Sequence, residues 1–192
     1  GQLVKMLKNG QEVRLSKRAG NIITLEDLVE EVGTDAARYT LTRYPVDTPL
    51  TLEIDLLTSH TNDNPVFYVQ YAHARISAVI RSAQEKGIDW QKSNFNPAVL
   101  TTQQEAELLG ALSEFPRIVS SAAQLREPHR VARYLEELAT AYHSFYSACR
   151  VLPMNDDAVT DETIARLMLC AATRQVIKNG LDLLGVSAPE KM

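Results

Sequence analysis

Asn64-Pro65-Val66-Phe67-Tyr68-Val69-Gln70-Tyr71-Ala72-His73-Ala74-Arg75-Ile76 is the stretch on which the fold turns. Proline suits the first turn of a helix, where its missing N–H costs no bond. Val66, Tyr68, Val69, Tyr71, Ala72, Ile76, Val79 and Ile80 then recur at helical spacing as far as Lys86-Gly87. That spacing predicts a long helix with one apolar stripe. The same period downstream predicts helices over 103–112, 115–125, 128–151 and 160–184, the third reading as Val131, Tyr134, Leu135, Leu138, Tyr142 and Phe145. Between them lie a loop over 87–100 and an acidic loop over 154–161. Such stripes are stable only when buried against one another, so the bulk of the chain is predicted to be a helical bundle.

Upstream the pattern differs. Segments 3–7 and 11–15 read as extended and are joined at Asn9-Gly10, a strong hairpin-turn dipeptide. This is the one convincing β signal. Thr24-Leu25-Glu26-Asp27 sets a capping hydroxyl three residues ahead of an acid and opens a short helix that stops at Gly33. A second helix starts near Thr34-Asp35 and runs towards Pro45. Beyond a corner at Pro45 to Pro49 the sequence reads as helical throughout. The expected fold class is mainly α, a helical bundle preceded by a small β-hairpin, divided into 1–32, 33–59 and 60–192.

The 192 residues carry a formal net charge of −4, which argues against charge-driven, non-specific nucleic-acid binding. The charge is uneven, however. Lys5, Lys8, Arg14, Lys17 and Arg18 face only Glu12, and Glu26, Asp27, Glu30, Glu31 and Asp35 follow directly, so any polyanion contact must be local. Cys149 and Cys170 have no CxxC spacing, which points away from a disulfide framework or a zinc site and towards a reducing cytoplasm. No apolar run reaches membrane-spanning length. The opening Gly1-Gln2 lacks an initiator methionine, which suggests a chain cut from something longer.

Two features carry chemistry. Val13-Arg14-Leu15-Ser16-Lys17-Arg18-Ala19-Gly20-Asn21 packs cationic donors, a hydroxyl and a glycine into one turn. It reads either as a phosphate cradle or as a solvated basic hairpin. The tyrosine pairs Tyr68/Tyr71 and Tyr142/Tyr146 each sit one helical turn apart, and such a pair either stacks unpaired bases or fills a core, whereas Phe145 is better placed as core. His60, His73, His129 and His143 are scattered without metal-holding spacing, so no metal site is expected. No nucleophile elbow, P-loop or dinucleotide fingerprint is present.

Taken in order, these elements resemble the carboxyl-terminal portion of bacterial arginyl-tRNA synthetases, which are class I aminoacyl-tRNA synthetases. Arg14-Leu15-Ser16-Lys17-Arg18 is similar to the KMSKS signature, and Gly33-Thr34-Asp35-Ala36-Ala37-Arg38-Tyr39 to the GxDAxRY segment that follows it. Asn64 to Arg75 looks like the opening helix of the DALR anticodon-binding domain. The stretches Phe145 to Leu152 and Gly180 to Val186, with the ending Ala188-Pro189-Glu190-Lys191-Met192, resemble its later helices. Weaker alternatives are a cysteinyl- or methionyl-type synthetase fragment and a free-standing helical RNA-binding or scaffold module.

The resemblance implies ATP-dependent joining of L-arginine to its tRNA through an arginyl-adenylate, with ATP and Mg2+ as the full-length enzyme's cofactors. It makes 1–32 the end of a catalytic domain, 33–59 a connecting, stem-contact segment and 60–192 the anticodon-binding bundle. Lys17, with Arg14 and Ser16, is implied in catalysis by stabilising charge on the leaving pyrophosphate, and Arg14, Ser16, Lys17 and Arg18 in ATP or pyrophosphate binding. Arg14 and Arg18 replace the signature's first lysine and final serine. The HIGH element is absent from this sequence. The chain alone is therefore expected to hold no cofactor and to charge no tRNA, while binding the anticodon arm of arginine tRNA. Arginine and ATP would be partners only through the missing catalytic domain. Tyr142, Tyr146 and Met192, with Tyr68 or Tyr71, are implied at the anticodon, whose central base is C in every arginine tRNA. A monomeric, cytoplasmic protein without membrane contact is expected. Asp35 and Arg38 are expected to form an intramolecular salt bridge between the two parts rather than to touch RNA.

Overall fold

The computed structural model describes residues 4–12, 24–154 and 157–192. The hairpin forms as its turn dipeptide demands. Strand β1 (Val4–Lys8) pairs antiparallel with β2 (Gln11–Glu12), with Leu7 opposite Glu12. Asn9 and Gly10 take φ of 53° and 70°, the left-handed pair a two-residue hairpin turn requires. Helix α1 (Leu25–Val32) opens with a complete capping box, since the Asp27 amide donates to the Thr24 hydroxyl and the Thr24 amide to the Asp27 carboxylate. Gly33, at φ 82°, ends α1 and leads straight into α2 (Thr34–Thr42).

A third strand corrects the expectation that the chain is helical beyond Pro49. Strand β3 (Leu50–Glu53) runs parallel to β1, with Met6 opposite Leu52, giving the sheet order β2-β1-β3. Leu50 and Leu52 are buried while Thr51 and Glu53 are exposed. That alternation has period two, but four residues are too few to distinguish it from the start of a helix. Pairing with β1 decides it.

A short helix, α3 (Ile54–Leu57), leads to α4 (Pro65–Glu85), the long helix expected from Pro65. A 3-10 turn at Pro97–Val99 interrupts the following loop. Then come α5 (Gln103–Ser113), α6 (Phe115–Leu125), α7 (His129–Ala148) and α8 (Asp161–Leu184). α7 stops short of the expected 151. Cys149 turns extended, and the chain leaves the helix so that the Arg150 carbonyl accepts from Arg166 Nη1 at 2.8 Å.

α4, α7 and α8 pack mutually at the centre of the bundle, with α5 and α6 against α7. Val69, Ala72 and Ile76 of α4, Leu135, Leu138 and Phe145 of α7, and Leu167, Cys170 and Ile177 of α8 fill the space between them. The same core continues without a break into Met6, Leu28, Tyr39 and Leu52. Tyr39 is fully buried, and its hydroxyl donates to the Ala132 carbonyl at 3.0 Å. Arg43 grips Glu136 through Nε at 2.6 Å and Nη2 at 2.8 Å, fixing α2 on α7.

Candidate nucleic-acid interface

Residues Phe67, Tyr71 and Arg75 lie one turn apart on α4, and each reaches the next along one face. The Phe67 and Tyr71 rings stack at 5.8 Å and 7°, and His60 continues the stack beyond Phe67 at 5.6 Å and 13°. At the other end the Arg75 guanidinium lies over the Tyr71 ring, 4.6 Å from its centre. It also lies 5.2 Å from the Tyr146 ring of α7. The result is a row of planar groups, His60-Phe67-Tyr71-Arg75-Tyr146, spanning two helices. His60 and Tyr146 at its ends are exposed, and the members between them are half-buried.

Two bonds hold Arg75 in the row. Nη2 donates to the Tyr71 hydroxyl at 2.8 Å, and Nη1 lies 3.3 Å from His143 Nδ1. A guanidinium carries further donors, and these remain to meet an acceptor from outside. His143 packs beside the row, 5.0 Å from the Tyr68 ring and 6.0 Å from that of Tyr71. Burial, reinforced by the Arg75 charge, pushes its imidazole down to about 4, so it is neutral at physiological pH. Tyr68 is half-buried, its hydroxyl 3.2 Å from that of Thr140.

Among the residues singled out from the sequence, Tyr68, Tyr71 and Tyr146 come together here. Tyr142 lies directly beneath. Its ring is 5.9 Å from that of Tyr146 but has no exposed surface, so it offers no face to a base in this structure. Burial also lifts its phenol well above the usual tyrosine range, and the hydroxyl has no hydrogen-bond partner. The cause is position, since 142 sits with Leu138 and Phe145 on the face of α7 that meets α4 and α8, whereas Tyr146 lies one turn further, at the end of that face.

Met192 lies further along the row, at a cleft of about 470 Å³ bounded by Gly33 and Asp35 of the α1–α2 junction and by His60, Phe67 and Gln70. It is 56% exposed, so its thioether is available to a ligand. Asp35 and Arg38 tie α2 to α4 and to the end of α8, and not as the expected carboxylate–guanidinium pair. Asp35 accepts from Gln70 Nε2 at 2.8 Å and from the Ser187 amide at 3.1 Å, and Arg38 Nε donates to the Leu184 carbonyl at 3.2 Å. Arg14, Ser16, Lys17 and Arg18 lie outside the described residues. Among the described residues no group of three or more His, Cys, Asp or Glu could hold a metal ion, and no helix is long and apolar enough to cross a membrane.

His60, Phe67, Arg75 and His143 belong to this surface but are not picked out as candidates by the sequence. The 67, 71, 75 spacing was a usable signal for two of them. Nothing local in the sequence pairs position 75 with 143 and 146.

The aromatic and cationic surface is shared by α4 and α7 of a helical bundle, and the chain belongs to the DALR anticodon binding domain family, matched over residues 69–192. Among individual proteins it is similar to the arginine–tRNA ligases of Frankia alni, at 57% identity, and Clavibacter sepedonicus, at 58%. Both matches cover 100% of this chain, and 35% and 34% of those proteins, so the chain spans about a third of the length of the curated relatives it matches. A solved structure from Campylobacter jejuni described as an arginyl-tRNA synthetase superposes with a TM-score of 0.84 at 32% identity, covering 100% of this chain and 40% of that one.

Proposed function

We propose that this chain is the tRNA-reading portion of an arginine–tRNA ligase and that it binds the anticodon arm of arginine tRNA. The observation that carries this reading is the row Phe67-Tyr71-Arg75-Tyr146. Unpaired bases are recognised by stacking on aromatic or guanidinium planes and by hydrogen bonds to their edges. Tyr146 supplies an accessible plane, and Arg75, oriented by Tyr71 and His143, supplies donors for acceptor atoms such as O2 and N3 of a cytosine or for a phosphate. Tyr68 and Tyr71 flank that position, and Met192 forms an apolar rim beyond Phe67. Tyr142 supports the Tyr146 plane from below.

The whole ligase would join L-arginine to its tRNA in the cytoplasm using ATP with Mg2+. Lys17, Arg14, Ser16 and Arg18 are the residues of this chain that would face the nucleotide phosphates. Among the described residues no group of three or more His, Cys, Asp or Glu could hold a metal ion, and no chemical step is assigned to them. The 192-residue chain, whose sequence carries no HIGH element, is proposed to bind tRNA as a monomer and to form no arginyl-adenylate by itself. Filter binding of arginine tRNA, compared with a variant altered only at the central anticodon base, tests the reading. Preference for the unaltered tRNA is expected, and indistinguishable affinities would overturn it. Pyrophosphate exchange above background by the chain alone would overturn the second part.

A further inference from the structure

Helix α8 ends at Gly185, and the remaining residues run back across α4 as a strap fastened at successive points. Arg38 Nε holds the Leu184 carbonyl at 3.2 Å. Asp35 receives the Ser187 amide at 3.1 Å and also its hydroxyl, while Gln70 Nε2 bridges Asp35 Oδ2 at 2.8 Å and the Ser187 carbonyl at 2.9 Å. Further on, His73 Nδ1 meets the Pro189 carbonyl at 2.8 Å and Arg81 Nη1 the Glu190 carbonyl at 3.1 Å. Since an accepting carbonyl requires an N–H on His73 Nδ1, this ring is a donor. Burial nevertheless pushes its pKa down.

These bonds do unequal work. Val186 is the strap's buried apolar anchor and Ala188 packs partly against the core, while after them Glu190, Lys191 and Met192 are exposed. An exposed terminal segment costs conformational entropy to hold still, so the polar fasteners set where it lies. Asp35 of α2 binds both the strap and, through Gln70, the helix beneath it. It also lines the cleft that Met192 helps to bound.

We infer that Asp35 is a positioning residue for RNA recognition: through Ser187 and Gln70 it fixes the terminal strap and thereby places Met192 at the rim of the base-reading surface. This rests on the tRNA-binding reading above. It also makes α2, the helix next to the cleft's α1–α2 wall, a direct mechanical neighbour of the anticodon site.

Two measurements test the inference. In the absence of RNA, carboxypeptidase release of Met192 reads how firmly the strap is held, and Asp35→Ala is expected to speed it by about an order of magnitude by opening the strap locally. Ser187→Ala, which removes the hydroxyl's bonds to Asp35 and Gln70 but keeps the backbone ones and leaves α2 untouched, should speed it less, at an unchanged melting temperature. In filter binding, Asp35→Ala and deletion of Met192 are each expected to weaken arginine tRNA binding several-fold, and the combined variant no further than the weaker single one. An unchanged release rate in both variants, or losses that add, would overturn the inference. Indifference of the unaltered chain to the central anticodon base would instead refute the function, while the release rates still judge the strap.

Discussion

His143 Nδ1 lies 3.3 Å from Arg75 Nη1, and because a guanidinium only donates, the imidazole must accept there. Its proton therefore sits on Nε2, which is buried and has no hydrogen-bond partner. A second proton would place a cation beside Arg75, which is why burial and that charge together hold the ring down to about 4 from its ordinary 6.5. The folded state resists protonation while the unfolded chain accepts it. This contribution to stability is thus complete above pH 6.5 and is lost as pH falls through about 4. NMR titration should show His143 neutral to near pH 4, and His143→Phe should flatten the stability slope between those values. A titration midpoint near 6.5 in the native protein would contradict the geometry.

The two tyrosines of α7 should separate cleanly. Tyr146→Ala removes an exposed ring and is expected to weaken arginine tRNA binding by about 1–3 kcal/mol, with thermal unfolding shifted by no more than a degree or two. Tyr142→Ala empties a fully buried site and should cost about 3–5 kcal/mol of stability. Tyr142→Phe, which deletes only the unpartnered hydroxyl, is expected to leave stability unchanged or slightly raised. Calorimetry beside filter binding distinguishes these outcomes.

Glu105 has no exposed side-chain surface and meets Arg166 Nε at 2.7 Å. Burial by itself would raise its carboxyl, but the Thr102 amide and the Arg166 guanidinium more than offset that and hold it below the ordinary 4.5. Its contribution is therefore present above that value and lost as pH falls through the lowered one. Arg166→Met strands the carboxylate and is expected to cost about 3 kcal/mol in urea unfolding, whereas Glu105→Gln with Arg166→Met should recover part of the loss. A single variant as stable as the unaltered chain would show the pair to be dispensable.

Gly185 ends α8 at φ 68°, and a Cβ there would stand 2.5 Å from Arg38 Nη2. Gly185→Ala combines backbone strain with displacement of the guanidinium that fastens Leu184, so a loss of about 1–2 kcal/mol is expected. The melting temperature should fall, and Arg38→Ala in the same chain should relieve the steric part. Equal destabilisation with and without Arg38 would assign the whole effect to φ.

Where side chains act on their neighbours one turn away, the sequence alone determined the outcome. Asn9-Gly10 made the hairpin turn, Thr24 with Asp27 capped α1, and the apolar period of 65–85 specified α4. Resemblance in motif order was enough to point to the family. Tertiary structure decided the rest, because those contacts join residues distant in the chain. Strand β3 exists because β1 offers it an edge. Tyr142 and Tyr146 share one helix and one spacing, yet α4 and α8 close over the first and leave the second open. Arg75 becomes a presented cation only when α7 brings His143 and Tyr146 to it, 68 and 71 positions later. A period records which face of a helix is apolar, but where that face ends, and what stands at its edge, is set by the helix packed against it.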